Sequence, residues 1–125
     1  MMLAKPMLSS NTQKDLKSVK ARDLLYEQAK EYITEHYRDK GLKASVIAEA
    51  LGCSTRQLSR AFQGRKETLA VYILKARLYI GANLLRSQPD LSISAVARRM
   101  RFYDVKHFKR AFKKEFGHFP RQEQD

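Results

Sequence analysis

The sequence predicts an all-α chain made of two similar helical units and one long helix between them. Three features predict it. Glycine and proline are sparse, 5 and 3 in 125 residues, and helix formers dominate. The stretch Ile47 to Phe62, IAEALGCSTRQLSRAF, returns as Val96 to Phe112, VARRMRFYDVKHFKRAF. Between the two copies lies a long helical pattern, Glu67 to Arg86.

Aligned from the left, Ile47-Ala48 falls on Val96-Ala97 and Leu51 on Met100. Aligned from the right, Arg60-Ala61-Phe62 falls on Arg110-Ala111-Phe112, so one residue is inserted in the middle, where a turn tolerates it. Each copy reads as a short helix, a tight turn and a second helix with a basic outer face. That is a homeodomain-like helix-turn-helix layout, whose second helix can enter a DNA major groove. The expected divisions are a flexible leader or linker at 1–21, a first helix-turn-helix subdomain at 22–66, a connector helix at 67–87 and a second subdomain at 88–125.

Taken in order, residues 1–21 are polar and aperiodic, which reads as a leader and not as a packed element. From Arg22 to Tyr37, Leu25, Ala29, Tyr32, Ile33 and His36 keep the spacing of one helix face, and Lys40-Gly41 ends the helix. The next helix, from about Ala44 to Leu51, buries Ile47, Ala48 and Leu51. Lys43 sits at its cap position and cannot accept a bond from the first-turn amides, which predicts a frayed start. Gly52 makes the turn, and Ser54 with Gln57 completes a capping box for the following helix. There Leu58, Ala61 and Phe62 face inward. Along the connector, Leu69, Ile73, Ala76, Ile80 and Leu84 form one apolar stripe, widened by Tyr72 and Leu85. Gly81 costs that helix about 1 kcal/mol relative to alanine. Ser92 caps a short helix burying Ile93, Val96 and Ala97. Asp104 caps the last strong helix, which points Val105, Phe108, Ala111, Phe112 and Phe116 inward and ends at Gly117.

Twenty-five lysines and arginines against 13 acids give a net charge of +12. Such an excess points to a polyanionic partner, nucleic acid ahead of an anionic membrane surface. Residues 98–114 alone carry eight basic side chains and one acid, Asp104. The single cysteine, Cys53, excludes an internal disulfide and fits a reducing compartment, and its expected role is a small apolar residue in the first turn. No apolar run approaches the ~18 residues of a membrane span, and no signal-peptide core is present. A cytoplasmic protein is expected, with no metal and no cofactor. His36, His107 and His118 keep no ligand-like spacing with Cys53, and no glycine-rich phosphate loop or nucleophile motif occurs, which argues against an enzyme.

The outer faces of the two second helices match at a constant offset of 50: Arg56, Ser59, Arg60 and Gln63 against Lys106, Lys109, Arg110 and Lys113. Arginine pairs two-pronged with the acceptor edge of guanine, serine and glutamine bond base edges or phosphates, and lysine supplies charge. The helix starts at Ser54, Thr55, Ser45 and Ser94 offer N–H groups suited to phosphates, whereas Asp104 is assigned to capping alone. A 20-residue connector is about 30 Å long, close to the ~34 Å between successive major-groove entries on one side of B-DNA. One chain could then read two grooves, the DNA bending if the span falls short.

The tandem pattern resembles the DNA-binding domain of the AraC/XylS family of bacterial transcription regulators. The resemblance rests on Ala97, Phe102, Phe108, Phe112-Lys113-Lys114, Phe116-Gly117 and Pro120, and in the connector on Tyr72-Ile73, Arg77-Leu78 and Leu84-Leu85. It covers about residues 22–120. It implies a seven-helix fold of two subdomains, a monomeric DNA-binding unit, and activation through contacts with RNA polymerase. It places base contacts at Thr55, Arg56, Ser59 and Arg60, and at Val105, Lys106, His107 and Arg110. Lys109, Lys113, Lys114 and Gln63 join the phosphate contacts. The chain departs from the pattern at Arg101, where glycine is usual, at Gly81 for alanine, at Lys43 for serine or threonine, and at Phe119 for threonine. The chain also stops before a seventh helix is fully written. Most family members carry an effector-binding or dimerising domain ahead of this one. The linker-like first 21 residues favour a piece of a longer regulator over a small stand-alone one.

Two other classes compete. A protein-interaction module would bind RNA polymerase or another regulator, with Glu27, Glu31 and Glu35 as its exposed acidic positions, and would show little DNA specificity. A single-strand or RNA binder would carry stacking aromatics on its basic faces, but Phe62, Phe108 and Phe112 point to the core.

Overall fold

The protein's structure, a computed structural model that describes residues 10–120, contains six α-helices among those residues. They are α1 (Ser10–His36), α2 (Ala44–Leu51), α3 (Thr55–Phe62), α4 (Leu69–Ser87), α5 (Ile93–Arg99) and α6 (Val105–Phe116). A seventh helix, implied by the family resemblance, would follow Pro120 and falls outside the described residues, as do residues 1–9.

Side chains close most helix starts. Ser54 Oγ accepts the Gln57 N–H at 3.0 Å while Gln57 Oε1 accepts the Ser54 N–H at 2.9 Å, the predicted capping box. Ser92 accepts from the Ala95 amide at 3.0 Å and Asp104 from the His107 amide at 2.7 Å, as predicted. Thr68 accepts from the Val71 amide at 3.2 Å, and that cap starts α4 at Leu69, two residues later than the sequence pattern indicates. Lys43 caps nothing with its side chain.

Two separate cores result. Ala29 and Ile33 of α1, Leu42 just before α2, Ile47 and Ala48 of α2, Leu58, Ala61 and Phe62 of α3, and Leu69 and Ile73 of α4 form the first. Leu78 and Ala82 of α4, Ile93, Val96 and Ala97 of α5, Met100, and Phe108 and Phe112 of α6 form the second. Cys53 is half-buried against the first core, where burial pushes its thiol above the usual range.

The single stripe expected on the connector needs correction. Leu69 and Ile73 are buried, but Ala76, Ile80 and Leu84 are only half-buried, and the deepest residues of the second half are Leu78 and Ala82. From Ile73 to Leu78 the helix turns through about 140° on its axis beyond one full turn. α4 therefore gives one face to the first core and another to the second, and a search for one continuous stripe averages the two. Gly81 lies where the second face meets its core: a Cβ there would sit 3.2 Å from Met100 Cγ, 3.3 Å from Val96 Cγ1 and 3.4 Å from Phe108 Cε1. Alanine would restore about 1 kcal/mol of helix propensity but force a methyl against a stiff valine and a buried ring, an overpacking cost of about 1–3 kcal/mol. Gly81→Ala is thus expected to lower the denaturant midpoint by about 1 kcal/mol equivalent with an unchanged slope; a raised midpoint would show that Met100 yields freely.

The second correction concerns α1. The helix begins at Ser10, not near Arg22, so residues 10–21 are helical where the sequence pattern reads as aperiodic. Side chains from Lys17 to Leu24 are all exposed. The missing apolar period from Lys17 to Leu24 signals a lack of burial, not a lack of helix; its lysines, alanine and leucine are good helix formers. At the other end, His36 Nδ1 lies 2.9 Å from the Tyr32 carbonyl and its ring stacks on Tyr32 at 3.8 Å, closing the helix at its C-terminus.

The turns show where the inserted residue lies. Cys53 N–H donates to Ala48 O at 2.9 Å, and Phe102 N–H to Ala97 O at 3.0 Å, so the copies stay in register through Phe102. Register resumes at the caps Ser54 and Asp104, leaving Tyr103 as the extra residue, 91% exposed. Gly52 turns through a left-handed backbone at φ +72°, and Arg101 takes the same conformation at +63°.

Candidate nucleic-acid interface

α3 buries Leu58, Ala61 and Phe62, and this turns Thr55, Arg56, Ser59, Arg60 and Gln63 to solvent, all exposed. α6 buries Phe108 and Phe112 and exposes Lys106, His107, Arg110, Lys113 and Lys114. The two faces expected from the sequence are therefore both assembled. Two members sit deeper than the rest. Val105 packs partly on the second core, and Lys109 is half-buried, so only part of each side chain is open to a partner.

Two groups of cations stand out among the described residues. One group is committed within the fold. Arg65 pairs with Asp23 and lies over the Tyr26 ring at 3.9 Å. Lys75 bridges Glu67 at 2.8 Å and Glu115 at 3.6 Å, and Lys30 pairs with Glu27 at 3.2 Å. Arg77 donates to backbone carbonyls at Tyr37 and Asp39, and burial together with the nearby Arg101 cation holds its guanidinium below its ordinary range. The other group is the interface. Among the described residues, no salt bridge or side-chain hydrogen bond engages Arg56, Arg60, Lys106, Lys109, Arg110 or Lys114. Lys113 is braced only by the Phe119 ring, 4.7 Å from its Nζ. Charges left without internal partners on two exposed helix faces have their hydrogen-bonding capacity free for an anion.

The backbone groups require one adjustment. Ser54 N–H is consumed by Gln57 Oε1, so Ser54 can meet a phosphate through its hydroxyl proton and not through its amide. Ser45 and Ser94 are exposed in the first turns of α2 and α5. His107 is exposed but its ring packs edge-on against Phe102 at 5.3 Å, which limits how far it can reach. His118 Nδ1 is occupied by the Phe119 carbonyl at 2.8 Å. No three of the described His, Cys, Asp and Glu side chains converge to hold a metal ion. No described helix is long and apolar enough to cross a membrane.

Sequence reasoning missed three neighbours of these faces. Arg22, placed at the start of the first helix and given no role, shares clefts with Arg60 between α1 and α3. Tyr103 and Arg98 line a groove with Ser94 between α5 and α6. The signal for Tyr103 was available in the change of repeat offset; nothing in the polar N-terminal stretch marked Arg22.

Two helix-turn-helix units, each presenting its second helix as a basic face, define a tandem DNA-binding domain. The chain belongs to the AraC-type helix-turn-helix family, whose model, described as a helix-turn-helix domain, matches residues 47–125. It is 33% identical over 88 residues to the transcriptional activator NphR of Rhodococcus, covering 70% of this chain and 26% of that protein. PqrA of Proteus vulgaris is 36% identical over 88 residues, covering 70% of this chain and 71% of PqrA. Among solved structures, the C-terminal domain of AraT, a response regulator from Geobacillus stearothermophilus, superposes with a TM-score of 0.70 at 31% identity, over 78% of this chain and 81% of that one. The chain thus spans about a quarter of NphR's length and most of PqrA's.

Proposed function

We propose that this chain is a sequence-specific, double-stranded DNA-binding transcription regulator that places α3 and α6 in successive major grooves. The observation that carries this reading is the matched pair of basic faces on α3 and α6, whose Arg56, Arg60, Lys106 and Arg110 are exposed and take no salt bridge or side-chain hydrogen bond among the described residues. α4, with 19 residues, is about 28 Å long, near one duplex repeat. Base reading falls to Arg56, Ser59 and Arg60 with Thr55, and to Lys106 and Arg110 with His107 and the exposed part of Val105. Phosphates fall to Gln63, Lys109, Lys113, Lys114, Ser45, Ser94 and the Ser54 hydroxyl. The reading units are the two subdomains flanking the connector at 67–87, acting as a monomer on DNA. NphR's description as an activator supports activation, with RNA polymerase as the second partner and the bacterial cytoplasm as the setting.

The test is a titration of the purified chain on sequences selected from a random DNA pool, against bulk DNA, at several salt concentrations. A preference of about a thousandfold or more is expected for the selected sites. In the same assay Lys113→Ala should weaken all sequences alike and reduce the salt slope by about one. A chain with no preference over bulk DNA would instead be a protein-interaction module, with the exposed Glu27, Glu31 and Glu35 of α1 as its obvious surface.

A further inference from the structure

The two units are joined by more than α4. Just beyond α1, three consecutive carbonyls of the first unit are held by arginines from elsewhere. Arg77 of α4 donates through Nε to Tyr37 O at 2.9 Å and through Nη2 to Asp39 O at 3.2 Å. Arg101, in the turn of the second unit, donates through Nε to Arg38 O at 2.6 Å. The Tyr37 side chain also packs against the second core. These carbonyls follow the C-terminus of a 27-residue helix, the negative end of its dipole, where guanidinium donors are favoured.

Arg101 occupies this place at a cost. It is the one described residue other than glycine with a positive φ, at +63°, and the equivalent turn in the first unit uses Gly52. A left-handed backbone with a Cβ is strained. It also sets a second cation near Arg77, whose charge it disfavours. Glycine would remove both burdens and would also remove the bond to Arg38. A single helix joining two bodies can bend. A second attachment at a distance from the first converts that joint into a fixed angle.

We propose that Arg101 is a positioning residue that sets the angle between α3 and α6, so that the chain discriminates the spacing between two DNA half-sites. The spacing claim rests on the function proposed above; the angle claim does not. The first arm of the test therefore uses no DNA. Spin labels at Glu49 and Lys114, both exposed, in a Cys53→Ser background, report the distance between units. The distribution should be narrow with Arg101 present, about twofold broader in Arg101→Gly, and narrow again in Arg101→Lys, whose ammonium can also reach a carbonyl. An unchanged width in Arg101→Gly overturns the proposal.

The second arm compares the selected site with versions one base pair longer and shorter between half-sites. Arg101→Gly should lose about tenfold of the preference for native spacing, the worth of one charge-assisted hydrogen bond, while its affinity for an isolated half-site stays the same. A broadened distance with intact spacing preference would refute the role in specificity. A wild-type chain with a narrow distance but no sequence preference would remove the DNA reading and the spacing claim, and leave the angle claim standing.

Discussion

Phe108→Ala is expected to unfold the second unit while the first stays folded. Phe108 is fully buried at the centre of the second core, edge-on to Phe102 at 5.0 Å and to Phe112 at 5.7 Å, and close to the α4 backbone at Gly81. Truncating a buried phenylalanine costs about 3–5 kcal/mol, part of it for the cavity left behind. The second core has only eight buried residues among those described, and a small domain has about 5–15 kcal/mol of stability in all. One such change therefore removes most of the unit's margin. No buried residue belongs to both cores, so the loss should not pass to the first unit, where Leu69 and Ile73 still hold the start of α4. Methyl NMR separates the outcomes: Ile93, Val96 and Leu78 signals should collapse while Ile33, Ile47 and Leu58 keep native shifts. Simultaneous loss of both sets would mean that the units unfold as one cooperative body.

Much of this architecture was legible in the residues, for identifiable reasons. The repeat, the caps at Ser54, Ser92 and Asp104, and the basic faces are local signals: a capping side chain acts three residues away, and a helix face is a matter of spacing. Where the reading failed, the cause lay beyond local spacing. From Lys17 to Leu24 α1 has no buried side chain, and only burial leaves a periodic trace in sequence. The connector serves two cores at different angles, so its real buried residues, Leu78 and Ala82, fall off the stripe that Leu69 and Ile73 begin. Arg101 stood out as a misplaced glycine, but its bond to Arg38, 63 residues away in sequence, has no local mark. The deeper seat of Lys109 follows from how α6 is rolled on its core, which the offset of 50 between copies does not specify.

Arg60→Ala and Arg110→Ala should each cost about 1–3 kcal/mol at the selected site and relax one base preference. Both residues are exposed, so stability should change by no more than about 0.5 kcal/mol in either variant. That separation matters, because a loss of affinity with a loss of stability would describe a damaged helix and not a missing contact. The same pair also tests the two-groove geometry. If α3 and α6 read separate grooves, their arginines share no partner, and the double variant should lose the sum of the single losses to within about 0.5 kcal/mol. If only one helix touches bases, one of the singles will be silent at every base position. Losses well short of additive would mean that the chain rotates onto one unit when the other is weakened, which a rigid pair of units resists. Unchanged specific affinity in Arg60→Ala, with Arg110→Ala impaired, would leave α6 as the only reading helix and reduce α3 to a phosphate contact.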